Sequence, residues 1–236
     1  MELSIPILYQ DESLLVINKP AGILVHRSEA TSRLEPAILQ IMRDRVGCRL
    51  YPVHRLDRPT SGVLILALNG DTAAHLGQQF AAHLCEKRYL AVVRGWAPES
   101  TTITHALSDL EDESAPAQAA ETGLQRLATI ELEFSVDRYP RTRYSLVSMQ
   151  PSTGRRHQLR RHCKSIFHPI IGDSIYGHGI HNRFFRENYG ISRLLLHHEE
   201  LKLRHPLSGE WLQFCAPLDQ DWQKILAAFS WSLQDK

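Results

Sequence analysis

Residues 54–68 read HRLDRPTSGVLILAL: one carboxylate, Asp57, stands between Arg55 and Arg58, a polar turn runs through Pro59 to Gly62, and an unbroken apolar run follows. A short apolar run behind a Pro/Gly turn is the pattern of a buried β-strand. Asp57 is therefore expected on a loop beside a rigid strand, a place where catalytic groups are often held. The flanking guanidinium groups should keep it ionised and nucleophilic rather than acidic. The same string also suits a structural aspartate, paired with arginine and opening a turn, and for an arbitrary Asp that plainer reading is the commoner one.

Outward from this strand, further β-like runs fall at residues 5–9, 14–17, 88–93, 127–136, 143–149, 194–203 and 212–215. Pro36 opens a helix with Ile38, Ile41, Met42 and Val46 on one face. Asn69 or Asp71 caps a second helix carrying Leu76, Phe80 and Leu84, and a last one covers residues 219–229. Strands are not separated by regular helical crossovers. The expected class is thus α+β, a mixed and mostly antiparallel sheet flanked by helices, rather than a doubly wound sheet. Residues 108–123 are acidic, small and nonperiodic, and are expected to form an exposed loop joining two lobes of a single domain.

The 236 residues are 43% hydrophobic and 22% charged, the make-up of an ordinary globular protein with a sizeable core. No apolar run approaches the roughly 20 residues of a membrane span, and the amino terminus lacks a leader pattern, so an unprocessed cytoplasmic protein is expected. Cys48, Cys85, Cys163 and Cys215 are scattered singly, which favours reduced thiols. The net charge of +1 argues against a simple coat for nucleic acid. Its distribution says more: residues 138–172 contain no Asp or Glu, whereas residues 96–125 contain no Lys or Arg. Such segregation suits a polyanion-binding face, although charge runs are more often solvated surface.

Several chemistries find no local support. G-x-x-x-x-G-K-[ST], G-x-G-x-x-G and G-x-S-x-G are all missing, and the kinase-like echo in His54 to Asp57 lacks the Asn and Asp-Phe-Gly it would need. His178 with His181, or His197 with His198, offers two metal ligands. No Asp, Glu or Cys at close spacing completes either set, so no metal is expected. No second carboxylate lies near Asp57 in sequence to suggest sugar hydrolysis.

Two clusters remain. In STGRRHQLRRHC, residues 152–163, a helix starting near Arg156 would place Arg156 and Arg160 on one face with Cys163, and Arg161 with Lys164 on a neighbouring face. Either row could grip phosphates or could be a solvated basic helix. The string EKRY at 86–89 brings Tyr89 into a strand, where a tyrosine is usually a half-buried aromatic.

Taken in order, HRLDRPTSG, KRY and GRRHQLRRH resemble the signature set of RluA-type pseudouridine synthases. YQDESLLVINKPAGILVH at 9–26, HPIIGDSIYG at 168–177 and RLLLHHEELKLRHP at 193–206 are similar to the family's framework, so the likeness spans nearly the whole chain. The resemblance implies a two-lobed catalytic domain around an RNA-binding cleft, with no added S4 domain, no cofactor, RNA as partner, no membrane, and a monomer by default. It implies the isomerisation of a uridine in structured RNA after base flipping. Asp57 would be the nucleophile, Arg160 the cation paired with it, Tyr89 the ring packed on the target base, and Arg55 the residue filling the gap. His54, Arg58, Arg155, Arg156, His157, Arg161 and Lys164 complete the residues expected to bind substrate. The RYPRTRYSLV run at 138–147 resembles the branch that acts on tRNA at uridine 65, with another tRNA or rRNA uridine as the alternative. A noncatalytic RNA binder and a nuclease or phosphotransferase using Asp57 with His54 are the competing classes.

Overall fold

The structure, a computed structural model, describes residues 4–27, 35–112 and 114–233; Glu113 of the acidic stretch lies outside them. In chain order the elements are β1 (Ile7–Gln10), β2 (Leu14–Lys19), α1 (Ile38–Val46), β3 (Tyr51–Pro52), β4 (Ser61–Ala67), α2 (Gly70–Ala81) and β5 (Glu86–Arg94). There follow β6 (Ser100–Ile103), β7 (Thr122–Leu132), β8 (Thr142–Pro151), α3 (Gln158–Ser165), α4 (Gly179–Tyr189), β9 (Leu196–Arg204), β10 (Trp211–Cys215) and α5 (Gln220–Ala228). This is the expected α+β class. Two compact units divide the chain, one of residues 1–87 and 198–217, the other of residues 88–197 and 218–236.

In the first unit, β1, β2, β4 and β9 lie side by side in that order, with β3 on β4 and β10 on β9. Antiparallel pairing sets Ile17 of β2 opposite Leu64 of β4. All seven residues of β4 are buried, as its continuous apolar sequence requires of a central strand. Leu14, Val16, Val63 and Ile65 form a core with Leu76, Leu201, Leu203 and Phe214. The side chain of Asn69 accepts the backbone N–H of Thr72, so α2 starts where its cap predicts. Leu76 then turns from α2 into the core.

In the second unit, β5, β8, β7 and β6 run antiparallel in that order. Tyr144, Phe184, Phe185, Trp222, Ile225 and Phe229 pack with Leu90, Val92 and Leu146 into an aromatic-rich core. Asp219 caps α5 by accepting the N–H of Trp222, whose side chain is fully buried.

Departures from the sequence reading are local. β7 starts at Thr122 rather than residue 127, because its first residues are held by β6 and by the Thr122 to Pro151 register with β8. The short β3 and β6 carry no pattern long enough to announce them, whereas α4 buries His181, Phe184 and Phe185 on one face and is a helix the sequence reading does not include. The acidic stretch sits inside the second unit, between β6 and β7. Helix α3 begins at Gln158, so Arg156 precedes it and does not share a helical face with Arg160; the reason is His157, whose φ of 55° is left-handed and breaks the run. Among the described residues, no helix is long and apolar enough to cross a membrane.

Candidate functional site

Asp57 sits in the turn before β4, half-buried, with its carbonyl accepting the N–H of Thr60 at 3.0 Å. The turn is tethered from β2. Lys19, fully buried, donates from Nζ to the carbonyls of Pro20 at 2.9 Å, Arg58 at 3.1 Å and Thr60 at 2.8 Å. A buried ammonium demands such partners, and satisfying it fixes the backbone that follows Asp57. Gly22 adds to the clamp, its N–H donating to Arg58 O at 2.8 Å while Arg58 Nε donates to Gly22 O at 3.0 Å.

Downstream, Gly62 adopts φ +113°, and a Cβ there would lie 2.2 Å from the backbone oxygen of His198. Only glycine permits this approach of two backbones. His54 closes the loop from its other end. Its Nε2 accepts the N–H of Ile65 at 3.1 Å, and its ring stacks on Phe80 and meets His198 edge-on. Burial, with help from the Lys87 charge, pushes the His54 pKa down to about 3, so the ring stays neutral and keeps its acceptor nitrogen. Of the residues expected to bind substrate, Arg55 is exposed, whereas the Arg58 guanidinium pairs with Glu35 at 2.6 Å.

The second unit holds the remaining candidates. Tyr89 is buried on β5 opposite Met149 of β8. Arg160 projects from α3 and is gripped by Asp173, Nε to Oδ2 at 2.7 Å and Nη2 to Oδ1 at 2.8 Å. Its guanidinium carbon also lies 5.2 Å from the Tyr176 ring centre. Burial opposes the charge on Asp173, but the hydrogen bonds from Arg160 and from the Tyr176 and Ile175 amides outweigh it and hold the carboxyl below its usual range. His157 Nδ1 lies 3.0 Å from the Tyr176 hydroxyl, and Lys164 Nζ 5.8 Å from the same ring.

The outer arginines meet the acidic stretch. Arg156 pairs with Glu111, Arg161 donates to the carbonyl and hydroxyl of Ser108, and Arg155 Nε donates to the carbonyl of Ala119 at 3.2 Å. Gln158 adds a hydrogen bond to Glu121 O at 2.8 Å, and His162 bridges Thr122 and the His105 carbonyl. The loop is therefore anchored to three of the cations expected from the sequence to bind substrate.

Sequence reasoning passed over Lys19 and Asp173 as individuals. Both lay inside quoted framework strings, VINKPAG and HPIIGDSIYG, and a charged residue within an otherwise apolar or glycine-flanked string is the signal that marks them. Cys85 and Cys163 are buried free thiols whose pKa values burial raises to about 11 and about 12, which makes them poor nucleophiles. Among the described residues, Asp137, His178 and His181 are the group of three side chains able to ligate a metal; His178 and His181 are one of the two histidine pairs noted in the sequence, and none of the three is among the residues expected to act on or bind RNA.

Comparison with known proteins bears on the chain as a whole. The sequence model described as RNA pseudouridylate synthase matches residues 13–165, a span that takes in Asp57, Tyr89 and Arg160. The chain is 45% identical over 233 residues to the tRNA pseudouridine synthase C of Vibrio cholerae, covering 95% of this chain and 96% of that one. With the protein of the same name from Haemophilus ducreyi it shares 44% identity over 240 residues, 99% of each chain. Among solved structures, human RNA pseudouridylate synthase domain containing 4 superposes with a TM-score of 0.74 at 25% identity, covering 95% of this chain and 93% of that one. Human RNA pseudouridylate synthase domain containing 1, at 24% identity and a TM-score of 0.68, agrees in fold.

Proposed function

The chain belongs to the RluA-type RNA pseudouridylate synthases, and we propose that it converts a uridine of tRNA to pseudouridine with Asp57 as nucleophile. The reaction breaks the bond between ribose C1′ and uracil N1, turns the base, and forms the bond between C1′ and C5. The proton on C5 is lost and N1 gains one, so nothing is oxidised, hydrolysed or energised, and the chemistry calls for no cofactor. A carboxylate serves every route by which this exchange could begin: addition to the sugar, addition to the base, or removal of a sugar proton.

The observation that carries the reading is the Asp57 turn. The one carboxylate of the HRLDRP string sits on a backbone fixed by the buried Lys19 ammonium and by the Gly62 contact, which is the rigid support a reacting group needs. Arg160, locked by Asp173, is proposed as the cation that serves this carboxylate, and Tyr89 as the ring against which the base packs. A stacked uridine must first be extruded, at a cost of a few kcal/mol. Arg55, exposed, is proposed to occupy the space that the base leaves.

Uridine 65 of tRNA is the proposed target, because the RYPRTRYSLV and GRRHQLRRH strings resemble the branch acting there and because the relatives named above are tRNA enzymes. The test is release of tritium from tRNA labelled at uracil C5, followed by mapping of pseudouridine in the product. Wild-type protein should release one tritium per tRNA at position 65, and Asp57→Asn should bind the tRNA yet release none. Turnover by Asp57→Asn at the wild-type rate would sink the mechanism. Modification confined to ribosomal RNA would overturn the substrate.

A further inference from the structure

Between β7 and β8 the chain presents Asp137, and two elements later His178 and His181 open helix α4. Spacing of i and i+3 on one helical turn brings the two imidazoles to 5.1 Å between ring centres. Nε2 of His178 lies 4.0 Å from Oδ2 of Asp137, and one donor atom from each of the three residues lies within 4.8 Å of the others. Asp137 is the third ligand that the sequence near His178 and His181 lacks.

As a plain packing arrangement this cluster is poorly satisfied. His181 is 3% exposed and its Nδ1 sits 2.9 Å from the Tyr144 hydroxyl, yet its Nε2 is sealed from solvent without a hydrogen-bond partner. The Nδ1 of His178 is buried in the same condition. Each such orphan costs about 1–3 kcal/mol, and most buried polar groups in folded proteins avoid it.

We propose that Asp137, His178 and His181 form a binding site for a divalent transition metal, zinc by preference of the donor set. Two imidazoles and one carboxylate are the ligands of an open zinc site, with a fourth position left for water or another small ligand. That position would face the cavity of about 460 Å³ lined by Asp137 and His181 together with Arg94, Tyr139, Arg143 and Phe167. Tyr144 supplies the outer partner such a histidine needs: if Nδ1–H donates to the tyrosine oxygen, the lone pair of Nε2 points to the metal and both nitrogens are satisfied.

Tetrahedral bonds of about 2.0–2.1 Å place ligand atoms roughly 3.4 Å apart, so the donors close by about 1 Å on binding. Asp137 on its loop and His178 at the helix start are both half-buried and have that freedom. The opposing charge is Arg94, 3.9 Å from the Asp137 carboxylate, which competes with the metal for it.

The full chain, stripped with a chelator, is titrated with zinc by calorimetry and with cobalt by visible absorption. One equivalent should bind, and cobalt should show ligand-field bands without sulfur charge transfer, since no cysteine is in the set. His178→Ala and Asp137→Ala should each weaken binding at least about tenfold, and Tyr144→Phe by about tenfold through the lost outer partner. His178 makes no capping hydrogen bond, so its replacement leaves α4 able to form, and circular dichroism checks this. Absence of one-to-one binding, or binding that survives both His178→Ala and Asp137→Ala undiminished, would overturn the site.

Discussion

Asp173 holds Arg160 by two parallel hydrogen bonds of 2.7 and 2.8 Å, and the two side chains are 0% and 3% exposed. Planar, paired contacts of this kind fix a guanidinium in orientation as well as in charge. Asp173→Asn removes the charge while keeping the size, and leaves the Arg160 cation short of its partner. Breaking a buried pair from one side costs about 3–5 kcal/mol. The expected result is a lower urea midpoint and, in protein that remains folded, a tritium-release rate reduced by about tenfold or more. Because the folded carboxyl titrates below its usual value, its contribution is complete above the unfolded pKa and is lost as pH falls through the folded one. The stability gap between wild type and Asp173→Asn should therefore be widest at neutral pH and narrow on acidification. A gap that widens in acid contradicts this.

Gly62→Ala tests the support of the Asp57 turn. The added methyl meets backbone 2.2 Å away at a φ of +113°, a combination no side chain can relieve by rotating. A loss of more than about 3 kcal/mol is expected, read as a large drop in the thermal midpoint. Near-native stability would mean that β4 and His198 are less closely apposed than described.

His54 provides a pH signature. Its folded pKa of about 3 lies below the ordinary 6.5, so the unfolded chain takes up the proton first as pH falls. Stability from the neutral ring is complete above about 6.5 and drains away below it, by up to about 2 kcal/mol between pH 7 and pH 5. Urea titrations at those two values should show a smaller pH-dependent loss in His54→Gln than in wild type. Equal losses would place the titration elsewhere.

The acidic loop predicts a gain of binding. Glu111 occupies Arg156 through an exposed pair, worth about 0–1 kcal/mol. Glu111→Ala should release that cation and tighten tRNA binding by up to several-fold at low salt. Arg156→Ala should instead weaken it and lower the slope of log affinity against log salt by about one unit. Filter binding across a salt series distinguishes these outcomes, and identical affinities for all three proteins would remove Arg156 from the RNA contact.

Much of this architecture was legible because the relevant forces are local. The unbroken apolar sequence of β4 announces a strand buried on both faces, and Asn69 and Asp219 announce their helices because a side-chain cap acts within three residues. Asp57 stood out as a lone carboxylate among arginines. What stayed hidden depends on partners distant in sequence. The start of α3 could not be read, since a left-handed histidine at 157 leaves no compositional trace. The occupation of Arg155, Arg156 and Arg161 by the acidic loop is likewise a matter of folding, although the charge segregation hinted at it. Asp137 joins His178 and His181 only once β8 and α3 have carried the chain back.

The buried amine of Lys19 has a consequence for how the Asp57 segment moves. Peptide oxygens from three residues do for this ion what water does in bulk, so part of the turn is its solvation shell. Rearranging the segment means stripping a desolvated cation, whose rehydration must come from outside. If Asp57 is the nucleophile proposed above, the flexibility needed to admit a nucleoside falls to the RNA and to exposed side chains such as Arg55, while the peptide framework beneath the Asp57 carboxylate stays still.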